Sequence, residues 1–302
     1  MKTKFEEIVD VKSIGIEHNP IKMNDILKKA NEENLKPSSE DTDRVLLIAI
    51  DVQQDFMENG ALGVPGSLGD VERLNRWIYA NMEKITQITA SIDTHNPFQI
   101  FHPCWWMDAK GNNPAPFTAI PLKDLDDGKW APAVNPKGSR EYVENLEKLG
   151  KKTLVIWPYH CLQGTAGNAL ENQFGNIAYF HSVARKVIMD RMVKGFDPMS
   201  EMYGIIKAEY DPKNRVNFDF LNKLSSFDKI VIAGEAKSHC VLESIKQILD
   251  HYQSNLDVTQ KVYILEDCMS GIPGFEKITE DAFDNFKKQF KVNILKSTDF
   301  TL

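Results

Sequence analysis

With 302 residues, 42% of them hydrophobic, the chain can bury one large core or one core with appendages. A net charge of -7 offers no basic surface for nucleic acid or an anionic membrane, and no segment approaches the ~18 uncharged apolar residues of a transmembrane helix. The start, Met1-Lys2-Thr3-Lys4-Phe5-Glu6-Glu7, has no apolar stretch of signal-peptide type, and Cys104, Cys161, Cys240 and Cys268 are too irregularly spaced for a disulfide frame, so a cytoplasmic protein with reduced thiols is expected.

Residues 1–43 are polar and charged and read as an N-terminal extension with a short helix near 22–33. A continuous apolar run at 44–50 predicts a strand buried on both faces. A helical pattern at 69–84 and a strand at 86–92 follow. Residues 96–150 are rich in Pro, Gly, Asn and Trp and too long for a simple connection, so they read as an insertion, a lid or an oligomer contact. Further strands are predicted at 153–156, 186–190, 229–234, 261–265 and 292–295. Helical patterns lie at 168–173, 199–208, 216–224, 239–252 and 279–289. The alternation predicts an α/β fold with a doubly wound, mainly parallel sheet, residues 44–302 forming one domain. In such sheets ligands gather at the carboxyl ends of strands.

Reactive side chains recur at those ends. The strand 229–234 ends in Gly234 and hands over to Cys240 at a helix start, where unpaired N–H groups and the helix dipole favour a thiolate and could hold an oxyanion. A buried structural cysteine would look the same in isolation. A nucleophile needs a partner for its proton. His239 is adjacent, but neighbouring helical residues point about 100° apart. Asp51, with Lys194 to stabilise the charge, makes chemical sense. A second group, Asp93, His95 and His160, carries donors suited to Zn²⁺, Fe²⁺ or Mn²⁺; Asp93 and His95 share one face of a strand. A pair of hydrogen-bonded surface histidines is the alternative. Asp55 reads as a brace for the turn after the first strand, and Cys161 as structural.

Five runs occur in a familiar order: Ala49-Ile50-Asp51-Val52-Gln53-Gln54-Asp55-Phe56 with Gly60-Ala61-Leu62-Gly63-Val64-Pro65-Gly66; Ser91-Ile92-Asp93-Thr94-His95; Trp157-Pro158-Tyr159-His160-Cys161-Leu162-Gln163-Gly164; Lys194-Gly195; and Gly234-Glu235-Ala236-Lys237-Ser238-His239-Cys240-Val241. In these the chain resembles the nicotinamidase/pyrazinamidase branch of the isochorismatase-like cysteine hydrolases. The resemblance implies a metal-assisted amidase hydrolysing nicotinamide to nicotinate and ammonia through an acyl-enzyme on Cys240. It implies that Asp51 takes the thiol proton and Lys194 holds Asp51 and the sulfur in place. Backbone N–H groups of Ala236 and Cys240 would form the oxyanion hole, behind a cis Glu235–Ala236 peptide. Asp93, His95 and His160 would hold a divalent metal, Zn²⁺ with Fe²⁺ or Mn²⁺ as alternatives. Phe56 and Trp157 would sandwich the ring. The partner implied is a small carboxamide, with no nucleic acid or membrane, and a homo-oligomer is allowed.

The chain also departs from that pattern. Gln99 stands where many bacterial members have a further histidine, with His102 three residues later as a substitute fourth ligand. Thr94 replaces a commoner aromatic, and Lys237-Ser238-His239 replaces the commoner Thr-Asp-Tyr. The 96–150 insertion and the first 43 residues are unmatched. A reshaped pocket leaves two rivals open: a hydrolase of another small amide or an enol ether, and a non-catalytic binding protein on the same scaffold.

Overall fold

The computed structural model describes residues 1–302. Its centre is a six-stranded sheet of β1 (Val45–Ile50), β2 (Gln87–Asp93), β3 (Asp190–Lys194), β4 (Lys229–Gly234), β5 (Val262–Leu265) and β6 (Asn293–Leu295). The spatial order is β6-β5-β4-β1-β2-β3, and every pairing is parallel. The order reverses between β1 and β4, the switch point at which a doubly wound sheet opens a crevice. β1 is buried at all six positions, as its unbroken apolar run requires. Because β1 and β4 lie side by side with Ile50 opposite Gly234, Asp51 and the 235–240 turn emerge next to each other. Because β2 pairs β3 with Asp93 opposite Lys194, those two side chains leave the same edge.

Seven longer helices surround the sheet: α1 (Met23–Glu32), α2 (Ser67–Ala80), α3 (Pro136–Lys148), α4 (Asn172–Ala184), α5 (Phe218–Leu224), α6 (Leu242–His251) and α7 (Glu276–Phe290). α2 buries Val71, Leu74, Trp77 and Ile78, the i, i+3, i+4 pattern of a helix laid on a core. The first 43 residues are packed onto the domain: Phe5, Ile8, Val9, Ile14, Ile26 and Ala30 join the same core, and α1 lies against α4. Arg185 clamps them with a two-pronged pair to Asp41, both bonds 2.6 Å. The 96–150 segment likewise buries Ile100, Phe101, Trp105, Trp106 and Tyr142 in that core.

Four expectations from the sequence need correction. The predicted strand 153–156 is only Leu154–Val155, paired antiparallel with Ala119–Ile120 outside the main sheet. The strand expected at 186–190 lies at Asp190–Lys194: it is an edge strand, so its apolar lead-in is dispensable and Ile188 stands 86% exposed. The helix expected at 168–173 is a single 3₁₀ turn, Ala166–Asn168, and the true helix is α4. α4 buries the polar Gln173, Asn176 and His181 together with its apolar residues and therefore carries little amphipathic signal. No helix forms at 199–208, because side chains of α6 take its backbone: Ser244 Oγ accepts from Ile205 N–H, and Gln247 Oε1 from Ile206 and Lys207 N–H.

Candidate active site

Asp51 caps β1 with φ 46°, a left-handed conformation that costs free energy outside glycine and clusters at functional sites. Ser91 of β2 braces it twice, donating to Oδ1 at 2.6 Å and accepting from its N–H at 2.9 Å. The fully buried Lys194 ammonium lies 3.0 Å from Asp51 Oδ2, 3.0 Å from Asp93 Oδ1 and 3.7 Å from Cys240 Sγ. It also donates to Met202 O at 3.1 Å. Burial disfavours the lysine's charge, but Asp51 and Asp93 outweigh it and hold the ammonium well above its usual range. Burial raises Asp51, against the pull of Lys194, which makes it a better base than a free carboxylate. Burial also pushes the Cys240 thiol well up, so the resting sulfur keeps its proton.

The turn that delivers Cys240 is a single π-helical turn, Lys237–Val241, leading into α6. Ala236 O accepts from His239 and Val241, not from Cys240, the donor that a regular α-helix would supply. The Ala236 N–H has no acceptor within the protein. The Glu235–Ala236 peptide is cis.

The second group is equally enclosed. Asp93, His95 and His160 are buried, and their ligand atoms lie within 4.8 Å of one another. His95 Nδ1 donates to Gly195 O at 3.2 Å, and His160 Nδ1 donates to Pro158 O at 2.8 Å. A carbonyl can only accept, so these bonds put the ring protons on Nδ1 and leave both Nε2 lone pairs facing Asp93 Oδ2, at 2.9 and 3.9 Å. Burial pushes His160 down to about 3, so no proton on that ring relieves its approach to Asp93. Burial opposes ionisation of Asp93, but the Lys194 ammonium 3.0 Å away favours the carboxylate and helps hold it below its usual range. Three acceptors aimed at one point fit a divalent cation.

His102 lies outside this group: its Nδ1 donates to Pro97 O, its Nε2 is buried without a partner, and its ring centre is 6.0 Å from that of His95. Gln99 is a brace, its amide donating to Gly195 O and Asp197 O. Asp55 also braces, accepting from Cys161 N–H at 2.6 Å. Cys161 is buried away from the chemistry, its thiol raised by burial.

One cavity reaches both Cys240 and the Asp93–His95–His160 group, walled by Phe56, Leu62, Val64, Phe101, Trp157 and Ile272. Phe56 stands edge-on to His160, with ring centres 5.7 Å apart. Trp157 is pinned through its indole N–H, which donates to Glu201 Oε1 at 2.5 Å and lies 3.3 Å from Tyr203 Oη. Sequence reasoning missed Ser91, Glu201, Tyr203 and Gln53, whose Oε1 accepts from Asp93 N–H at 2.6 Å and so fixes the end of β2. Ser91 was accessible, since Thr89, Ser91 and Asp93 alternate along one face of β2. Glu201 carried no signal, because it lies on irregular backbone.

No family model and no curated protein sequence matches the chain. Solved structures do. The yeast nicotinamidase Pnc1p bound to the inhibitor nicotinaldehyde aligns with a TM-score of 0.57 at 17% identity, covering 83% of this chain and 99% of that one. A nicotinamidase/pyrazinamidase from Acinetobacter baumanii aligns at 0.54 and 19% identity, covering 86% and 99%. PnC1 from L. infantum in complex with nicotinate aligns at 0.52 and 18%, covering 88% and 98%. The α/β architecture with its parallel sheet is therefore the fold of the nicotinamidase structures.

Proposed function

We propose that the protein is a metal-assisted cysteine amidohydrolase that converts nicotinamide to nicotinate and ammonia. The observation carrying this reading is one cavity lined by both the Cys240 sulfur and the three-donor cation cradle, with the Lys194–Asp51 pair buried directly behind the sulfur. Cys240 Sγ attacks the carboxamide carbon while its proton passes to Asp51. Lys194 stays cationic and balances the charge left between sulfur and carboxylate. The carbonyl oxygen becomes an oxyanion held by the N–H groups of Ala236 and Cys240. When the C–N bond breaks, Asp51 returns the proton to the departing amine, which leaves as ammonia. Water, deprotonated by Asp51, then cleaves the thioester, releasing the acid and restoring the thiol. Asp93, His95 and His160 would hold the divalent ion, Zn²⁺ with Fe²⁺ or Mn²⁺ as alternatives, which when bound supplies a Lewis-acidic anchor for the pyridine nitrogen. Phe56 and Trp157 flank the ring and exclude water.

A substrate panel tests the reading. Turnover of nicotinamide should exceed that of aliphatic amides and of isochorismate. Preference for an aliphatic amide or for isochorismate would assign the site to another small substrate, and no turnover of any would remove the enzyme reading.

A further inference from the structure

The oxyanion loop is stitched to the chain that follows β5. Gly234 N–H donates to Cys268 O at 3.0 Å, Lys237 N–H to Ser270 O at 2.7 Å, and Ile272 N–H to Ser238 Oγ at 3.0 Å. Glu235 adds a side-chain stitch, its Oε2 accepting from Ser270 N–H at 3.2 Å. Its other oxygen, Oε1, is buried with no hydrogen-bond partner. Asp70 of α2 shows the same pattern: Oδ1 takes Arg73 at 2.7 Å, and Oδ2 is buried with no partner. Asp70 Oδ2 lies on the Ser270 side of the loop, since a Cβ added at Gly66 would stand 2.5 Å from Ser270 Oγ and 3.9 Å from Asp70 Oδ2, and this brings the two carboxyl groups close enough to share a proton. Two ionised carboxylates in such contact would repel and leave both oxygens unsatisfied, a costly arrangement without water. One proton between them satisfies both.

We propose that Glu235 is a positioning residue: its acid proton is shared between Oε1 and Asp70 Oδ2, and that shared proton locks the loop carrying Ala236 and Cys240 against α2. The inference rests on the amidase reading for its catalytic consequence, though not for the proton itself. Burial raises Glu235 well above the ordinary carboxyl range, with Asp70 adding to it. The other charged groups near the pair do not reverse this. Arg73 is engaged by Asp70 Oδ1 and Asp267 O. The Asp267 carboxylate is turned to Ser297. The Lys237 ammonium lies over the Phe283 ring.

Two readouts test the proposal. Infrared difference spectroscopy of the full-length protein at neutral pH should show the carbonyl stretch of a buried protonated carboxyl group that Glu235→Gln removes. Kinetically, Glu235→Gln should keep the wild-type kcat, because its amide N–H donates to Asp70 as the acid did. Glu235→Ala should lose kcat by roughly 10²-fold, as when an oxyanion donor is displaced, with KM unchanged. A wild-type-minus-Glu235→Gln difference spectrum with no protonated-carboxyl band would overturn the shared proton, since the buried acid Glu201 contributes equally to both spectra and cancels, and so would a Glu235→Gln enzyme as impaired as Glu235→Ala. If the wild type turns over no amide, the amidase reading fails while the infrared result still decides the proton.

Discussion

Lys194 is the single cation between two buried carboxylates, and Lys194→Met measures what that place is worth. Its ammonium lies 3.0 Å from Asp51 and 3.0 Å from Asp93, with no side-chain exposure. Methionine keeps the stem's volume and removes the charge. Breaking a buried pair by removing one partner costs about 3–5 kcal/mol, because the other charge is left uncompensated. Here two carboxylates are left, although they shared one ammonium and the costs do not simply add. In a chain of this size about 1 kcal/mol moves the melting temperature by roughly 2–4 °C, so a fall on the order of 10 °C is expected. Thermal melts of the metal-free single variants Lys194→Met and Asp51→Asn and of the double variant give the coupling. The double variant should recover part of the loss, since one orphaned charge is gone. A Lys194→Met protein that melts with the wild type would refute the assignment of Lys194 as a buried counter-ion.

Asp51→Asn should preserve the Ser91 bonds and the fold, yet lower ammonia release by about 10²–10⁴-fold, the usual contribution of a positioned acid–base group. Glu201 is raised to about 8, chiefly by burial. A raised folded-state value contributes stability that is present below the unfolded-state value and lost as pH rises through about 8. The wild-type melting temperature should therefore decline across that window, and Glu201→Gln should flatten the decline. Gly195→Ala should abolish metal uptake, measured by elemental analysis: φ is 84° there, and an added Cβ would stand 2.6 Å from Asp93 Oδ1 and 2.7 Å from His95 Cε1.

Much of this architecture was legible because burial on both faces leaves a plain signature. The unbroken apolar runs of β1 and β4 announced a parallel sheet, and the chemistry at their ends followed from it. The first-strand aspartate, the Asp93/His95 alternation and the cysteine after Gly234 were readable for that reason. What stayed hidden depends on long-range partners. α4 buries Gln173, Asn176 and His181 among its apolar residues and shows no clear helical stripe. Residues 199–208 look helical until Ser244 and Gln247 claim their backbone. β3 lies four residues late because an edge strand need not hold its most apolar residues. Glu201 and the Glu235–Asp70 contact join segments far apart in the chain, and no local pattern marks them.

Ammonia release from nicotinamide, measured in parallel for the wild-type protein and Cys240→Ala after both are shown to melt alike, tests the central claim most directly. The wild type should release ammonia steadily and the variant none. Release by Cys240→Ala at the wild-type rate would contradict it, because no other sulfur lines the cavity beside Asp51 and Lys194 except the thioether of Met202.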